Sequence, residues 1–163
     1  MAVLPTVTYP DPVLRRKARR VTSIDGSIAR LIDDMVETMR EIGGVGLAAP
    51  QVGIPLRVAV IELPGEEIIV LVNPKIVKRS GERQVEEGCL SLPGYRGEIQ
   101  RSVKVIAKGL DRYGREIRIK GEGLLAQALE HEIDHLNGTL YIDHLESIDK
   151  LFAVEPDVET PEI

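Results

Sequence analysis

Cysteine is nearly absent: Cys89 is the single one among 163 residues, so no disulfide can form within the chain. That scarcity points to a reducing, cytoplasmic setting. No apolar run approaches the ~20 residues that a membrane-spanning helix requires. The opening Met1-Ala2-Val3-Leu4-Pro5 has neither the basic start nor the apolar stretch of a signal peptide, so no leader is expected. Positive charge is not in excess either. The net charge is −5, which argues against nucleic acid or an anionic membrane as a primary partner. Arg15-Arg16-Lys17 with Arg19-Arg20 form a local basic cluster, but within an acidic remainder it reads as a solvated face. There is no internal repeat and no long linker. What remains is a composition 43% hydrophobic and 29% charged, suited to one globular domain with its own core. The expected division is a domain over 1–150 and a loose acidic tail over 151–163. The tail holds two prolines and four acidic residues with little periodicity.

Local signals set the order of elements. Tyr9-Pro10-Asp11-Pro12 is extended or a turn, since each proline biases its predecessor away from helix. Ile28, Leu31, Ile32, Met35, Met39 and Ile42 follow helical spacing, with Ser23 or Asp25 as N-cap and Gly43-Gly44 as the stop. The β-branched runs 56–63 and 68–73, separated by Pro64-Gly65, read as paired strands. Residues 103–110 and 116–120 alternate around Asp111-Arg112-Tyr113-Gly114, a hairpin signal. A second helical run follows, marked by Leu124, Leu125, Ala128, Leu129, Ile133 and Leu136 and closed by Asn137-Gly138. The fold class expected is α+β, with mostly antiparallel sheets packed around that second helix.

The second helix carries His131-Glu132-Ile133-Asp134-His135. Residues four apart share one helix face, with Cβ atoms roughly 5–6 Å apart. Two imidazoles so placed can hold one divalent metal ion, with Glu132 beside them as acid or base. The bland reading is a helix with two satisfied histidines; it is weakened because these are two of only three in the chain. A third ligand is needed. A metzincin would place His at 141, where this chain has Tyr141. A thermolysin-like site would need a downstream carboxylate, such as Glu146 or Glu155, and neither lies on a convincing further helix. Cys89 is the better candidate, because a thiolate is a strong soft ligand. Gly88 before it permits close backbone approach, and Pro93-Gly94 reads as a turn ending the segment, a context that suits a shaped site better than a core strand. Three protein ligands leave one position open, as a catalytic site does.

Three motifs now stand in order: Gly44-Val45-Gly46-Leu47-Ala48-Ala49-Pro50-Gln51, Glu87-Gly88-Cys89-Leu90-Ser91, and His131-Glu132-Ile133-Asp134-His135. Together with Tyr9-Pro10-Asp11-Pro12-Val13-Leu14-Arg15 and Leu136-Asn137-Gly138, they resemble the peptide deformylases over about residues 4–150. Those enzymes remove the N-terminal formyl group from newly made proteins.

The resemblance implies one metal ion on Cys89, His131 and His135. Fe²⁺ is the expected ion, though Zn²⁺, Ni²⁺ and Co²⁺ suit the same ligands. It further implies Glu132 as the group that moves the proton, and the Gln51 side chain and Leu90 N–H as donors to the oxyanion. Val45, Gly46 and Gly88, with Gly44 opening the turn, would bind substrate as an added strand. Val45, Leu124 and Ala128 would line the methionine pocket, and Arg96 would stand near its mouth. Glu87 would support the site, and His144 would be a surface residue. The implied partners are N-formylmethionyl peptides and nascent chains, with transient ribosome contact.

Two positions depart from the pattern. Many relatives have Gln before the first His of the helix motif, where this chain has Glu130; it is expected to face solvent. Some bacterial relatives end in a basic ribosome-docking helix, whereas the segment from Glu155 is acidic and broken by proline. The competing readings are an HExxH-type zinc metalloprotease, a structural metal module, and an inactive deformylase-like binding protein. The missing His at 141 disfavours the first, the lack of a fourth ligand the second, and the intact Glu132, Gln51 and Cys89 the third.

Overall fold

Asp25 accepts hydrogen bonds from the N–H groups of Ser27 (3.0 Å) and Ile28 (3.2 Å), which starts the first helix, α1 (Gly26–Ile42). Of the two N-cap candidates, Ser23 and Asp25, it is Asp25 that caps the helix, and it satisfies donors that have no partner inside it. Gly43 ends α1 in a left-handed conformation (φ 76°), and Gly44 N–H bonds back to Met39 O at 3.1 Å. The computed structural model describes residues 2–154 and residue 163. After α1 come β1 (Gly46–Ala48), a 3-10 turn (Ala49–Val52), β2 (Val58–Ile61) and β3 (Ile69–Ser80). Then follow β4 (Arg83–Cys89), β5 (Leu92–Arg101), β6 (Lys104–Leu110) and β7 (Glu116–Glu122). The second helix, α2 (Leu124–Leu136), precedes two short 3-10 turns and β8 (Leu151–Ala153).

Every strand pair is antiparallel. One sheet runs β1-β2-β3-β6-β7 and the other β4-β5-β8. The fold is α+β, as expected, and α2 carries the histidine motif. All four residues of β2 are buried, because the strand has a helix on each side. Val58 and Val60 join the core with Ile32, Met35 and Met39 of α1, whereas Ile61 joins the core with Ala128, Leu129 and Ile133 of α2. The two-residue period of a strand thus feeds two separate cores. Among the described residues no helix is long and apolar enough to cross a membrane.

Four local readings need correction. First, the strand expected to stop at 73 runs on to Ser80 through register shifts at Val72/Lys75 and Ile76/Lys78. Asn73 takes φ 52° there, and its side chain exchanges two 2.8 Å bonds with the Val21 backbone. A bulge accommodates Pro74, which has no N–H to pair. Second, Cys89 is a strand residue, the last of β4 and paired with Leu92. Leu90-Ser91 is the two-residue turn, while Pro93-Gly94 lies inside β5. Third, Glu130 is buried and does not face solvent. It accepts from Ser102 N–H (2.7 Å), Ser102 Oγ (3.1 Å) and Arg79 Nε (3.0 Å). Fourth, Leu151–Ala153, assigned to the loose tail, pairs with Tyr95–Gly97 of β5. Residues 155–162 of that tail lie outside the described residues, while Ile163 is buried.

Ile32 is fully buried on α1 beneath β2, so deleting its branched side chain leaves a void that the two rigid layers cannot close. Ile32→Ala is expected to lower unfolding free energy by about 2–5 kcal/mol in urea denaturation. A loss under about 1 kcal/mol would show that this core collapses freely.

Candidate active site and metal centre

His131 and His135 lie one turn apart on α2, and Cys89 reaches them from the tip of the β4–β5 hairpin. Cys89 Sγ is 3.2 Å from His135 Nε2, which is 3.1 Å from His131 Nε2. The three donor atoms lie within 4.8 Å of one another, and all three residues are buried. Glu87 decides how His131 presents itself: its Oε2 lies 2.6 Å from His131 Nδ1. A carboxylate can only accept, so Nδ1 donates and Nε2 is directed at Cys89 and His135. Unshared lone pairs of sulfur and two imidazoles crowded this closely repel unless a cation or proton lies among them. The donor set therefore fits a divalent metal ion. Among the described residues the cluster stops at three ligands.

Glu87 is itself tied down. It accepts from Arg101 Nε (3.0 Å), Arg101 Nη2 (2.7 Å) and Gln127 Nε2 (3.1 Å). Burial would push its carboxyl up, but His131 and Arg101 override that and hold it far below the usual range. Burial opposes charge on His131 too, yet Glu87 and Cys89 outweigh it and raise its proton affinity. Burial, reinforced by His131, lowers that of His135. The network extends from Arg101 Nη1 to Asp134 (2.8 Å) and from Asp134 to His144 (2.9 Å). His144 is exposed, as expected, with its Nε2 in hydrogen-bond contact with Asp134.

Glu132 is fully buried, and neither carboxylate oxygen has a hydrogen-bond partner among the described residues. Burial pushes its pKa up to about 7. A Cβ on Gly46 would collide with this carboxylate, so the glycine is required to make room for Glu132. Gln51 is buried as well. Its Oε1 accepts from Ala48 N–H (2.9 Å), which directs Nε2 to Cys89 Sγ (3.5 Å) and Ser91 Oγ (3.3 Å). Leu90 N–H stands one residue beyond the cysteine and donates to the main-chain oxygen of Ile163 at 3.4 Å.

The remaining candidates fall around this centre. Val45 and Ala128 belong to one apolar cluster, with Leu124 packed against it. Gly44 follows the cap of α1, and among the described residues β1 is an edge strand bonded only to β2. Gly88 lies in the irregular stretch between Glu87 and Cys89, where a Cβ would stand 3.1 Å from Arg96 Nη1. Arg96 is buried at 2% exposure, with Nε 2.9 Å from Glu86 Oε1. Sequence reasoning missed Arg101, Gln127 and Asp134. Gln127 carried a signal, since it lies four residues before His131 on the same face of α2. Arg101 carried none, because its role depends on strand pairing.

A family model described as polypeptide deformylase matches residues 3–151. The chain belongs to the polypeptide deformylase family. Deformylases are hydrolases that remove the N-formyl group from nascent peptides, and this chain is one of them. A peptide deformylase of Dehalococcoides mccartyi is 60% identical, over 99% of this chain and 98% of its own length. One from Thermodesulfovibrio yellowstonii is 51% identical, over 89% and 90%. The crystal structure of a Legionella pneumophila deformylase superposes with a TM-score of 0.88 at 48% identity, covering 91% of this chain and 89% of that one. That of a Synechococcus elongatus deformylase, solved with actinonin, gives 0.87 at 42% identity, over 90% and 81%.

The raised pKa of Glu132 sets a stability prediction for the metal-free protein. A carboxyl with a folded pKa above its unfolded value stabilises fully below about 4.5, and that contribution is lost as pH rises through about 7. Above pH 7 the parent buries an ionised carboxylate, whereas Glu132→Gln does not. The variant is expected to match the parent at pH 5 and exceed it at pH 8 by up to about 3 kcal/mol. Denaturant titrations at both pH values test this; an unchanged difference would sink the buried-charge account.

Proposed function

We propose that this chain hydrolyses formylmethionyl peptides with the residues assembled between α2 and the β4–β5 hairpin. The observation that carries the reading is a buried Glu132 carboxyl, without a hydrogen-bond partner among the described residues, beside three convergent metal-ligand atoms. Cys89, His131 and His135 would hold one divalent ion. When bound, such an ion acts as a Lewis acid and makes water a nucleophile at neutral pH. Fe²⁺ is the ion proposed, as the likeness to deformylases implies; one sulfur and two imidazole donors equally accept Zn²⁺, Ni²⁺ or Co²⁺. A reducing cytoplasm would keep Cys89 available as a ligand.

Glu132 takes the proton as water oxygen adds to the formyl carbon. It returns a proton to the amine nitrogen as the C–N bond breaks, leaving formate and a free methionyl amine. Gln51 Nε2 and Leu90 N–H are the donors proposed for the oxyanion; the Ala48 bond to Gln51 Oε1 keeps the first from rotating away. The peptide would add to the free edge of β1 through Gly44, Val45 and Gly46, opposite Gly88, with its methionine side chain among Val45, Leu124 and Ala128. Arg96, buried against Glu86, is proposed to shape the Gly88 side of that groove. Residues 1–150 are proposed to carry the catalysis. The acidic segment beyond Val154 is not proposed as a ribosome dock; contact there would come through the nascent chain.

Formate release from formyl-Met-Ala-Ser by anaerobically purified, metal-assayed protein tests the reading directly. Rapid release, with no cleavage of the unformylated peptide, is expected. Glu132→Ala should keep its metal and lose about 10²–10⁴-fold in kcat. Near-normal turnover in that variant would remove Glu132 from the reaction. Peptide-bond cleavage would mean a protease.

A further inference from the structure

Ile163 is 1% exposed and belongs to the apolar cluster of Val45, Ala128, Leu129 and Ile133, against which Leu124 packs. Its main-chain oxygen is the acceptor for Leu90 N–H. An apolar side chain in that cluster and a carbonyl-type oxygen on that N–H are the two features by which the first residue of a formylmethionyl peptide would be held. One residue of the chain therefore satisfies both halves of the substrate subsite.

The anchor of this segment is close by. Val154 N–H donates to Gly94 O at 3.0 Å, and β8 pairs with β5, the hairpin partner of the strand that ends in Cys89. Ile163 follows Val154 by nine residues, a length that reaches at most about 30 Å.

We propose that Ile163 is a built-in competitor of the peptide substrate, seated in the methionine pocket and on Leu90 in the free enzyme and displaced by an incoming formylmethionyl chain. The proposal rests on the assignment of that pocket and of Leu90 to substrate binding. Such a contact leaves the turnover rate of bound substrate unchanged and raises the concentration needed to bind it. It also keeps the apolar pocket covered between substrates.

The test combines kinetics with a measurement that needs no turnover. Ile163→Asp, and a chain ending at Val154, are expected to lower KM for formyl-Met-Ala-Ser by about 3- to 10-fold at unchanged kcat. In the full chain, nuclear Overhauser contacts are expected between the Ile163 δ1-methyl and the methyls of Val45 or Leu129. They should disappear when the product tripeptide Met-Ala-Ser saturates the site. Absent contacts in the free protein would overturn the proposal, as would contacts that persist under saturating tripeptide or a KM unchanged in both variants. A KM that rises with enzyme concentration would also overturn it, because the occupant would then come from a second copy. If no formate were released at all, the deformylase reading would fail, while the contacts and their displacement would still decide where Ile163 sits.

Discussion

Glu87, Arg101 and His131 bury an anion, a cation and an imidazole in mutual contact, and the arrangement of the catalytic centre depends on that cluster. Each ion taken out of water costs several kcal/mol unless its hydrogen bonds are replaced. Here they are. Glu87 receives both a two-pronged Arg101 and Gln127 as well as His131, while the third arm of Arg101 goes to Asp134. The partners come from β4, β5 and α2, so one set of charges fastens the smaller sheet to the helix that bears the histidines. Removing any one partner would strand a buried charge, at about 3–5 kcal/mol. The cluster therefore gives position more than net stability: apolar residues could fill the same space, but they could not orient His131 Nδ1.

From that anchor the geometry of the centre follows in short steps. Glu87 and Cys89 are two residues apart, and the irregular pairing at Gly88 leaves Glu87, Gly88 and Cys89 all buried. The carboxylate thus meets His131 from behind while the thiol meets the imidazoles from the front. Leu90 is next in the chain and forms half of a two-residue turn, which fixes its N–H relative to Cys89. On the other side, Gly46 gives up its Cβ so that Glu132 can enter, and Gln51 spans the gap to Cys89 and Ser91. The tolerances are narrow because rigid backbone, not long side chains, carries most of the placement.

What could be read from the sequence was whatever is local. Asp25, the spacing of Ile28 to Met39, the Asp111 turn and the pair His131/His135 act within one or two helical turns or one hairpin, and the structure bears each of these elements out. The β4–β5 hairpin was illegible for a physical reason. Its turn, Leu90-Ser91, lacks the Asn-Gly or Asp-Gly chemistry of a two-residue hairpin, and Gly88 and Pro93-Gly94 imitate breaks. Arg101 and Ser102 follow from that omission, since their partners Glu87 and Glu130 become visible only once β5 is placed beside α2. Glu130 was misjudged in the same way. A carboxylate on a helix reads as solvated until Arg79 of β3 and Ser102, just past β5, are laid over it.

The two edges of the structure explain why the centre is reachable at all. Among the described residues β1 is bonded on one side only, and β4 ends its sheet. Free edges are ordinarily a hazard, because any extended chain can add to them. Here β1 follows Val45, which belongs to the apolar cluster that also holds Ala128 and Ile133, and its Gly46 lies against Glu132. In the binding mode proposed above, an extended peptide would cover β1, pack its side chain into that cluster and bring its own carbonyl to Leu90. Ile163 meets the second and third of these conditions with a side chain and an oxygen of the same chain. A site shaped to be completed by a strand will accept whichever strand is nearest, and selectivity must then come from how readily that occupant gives way.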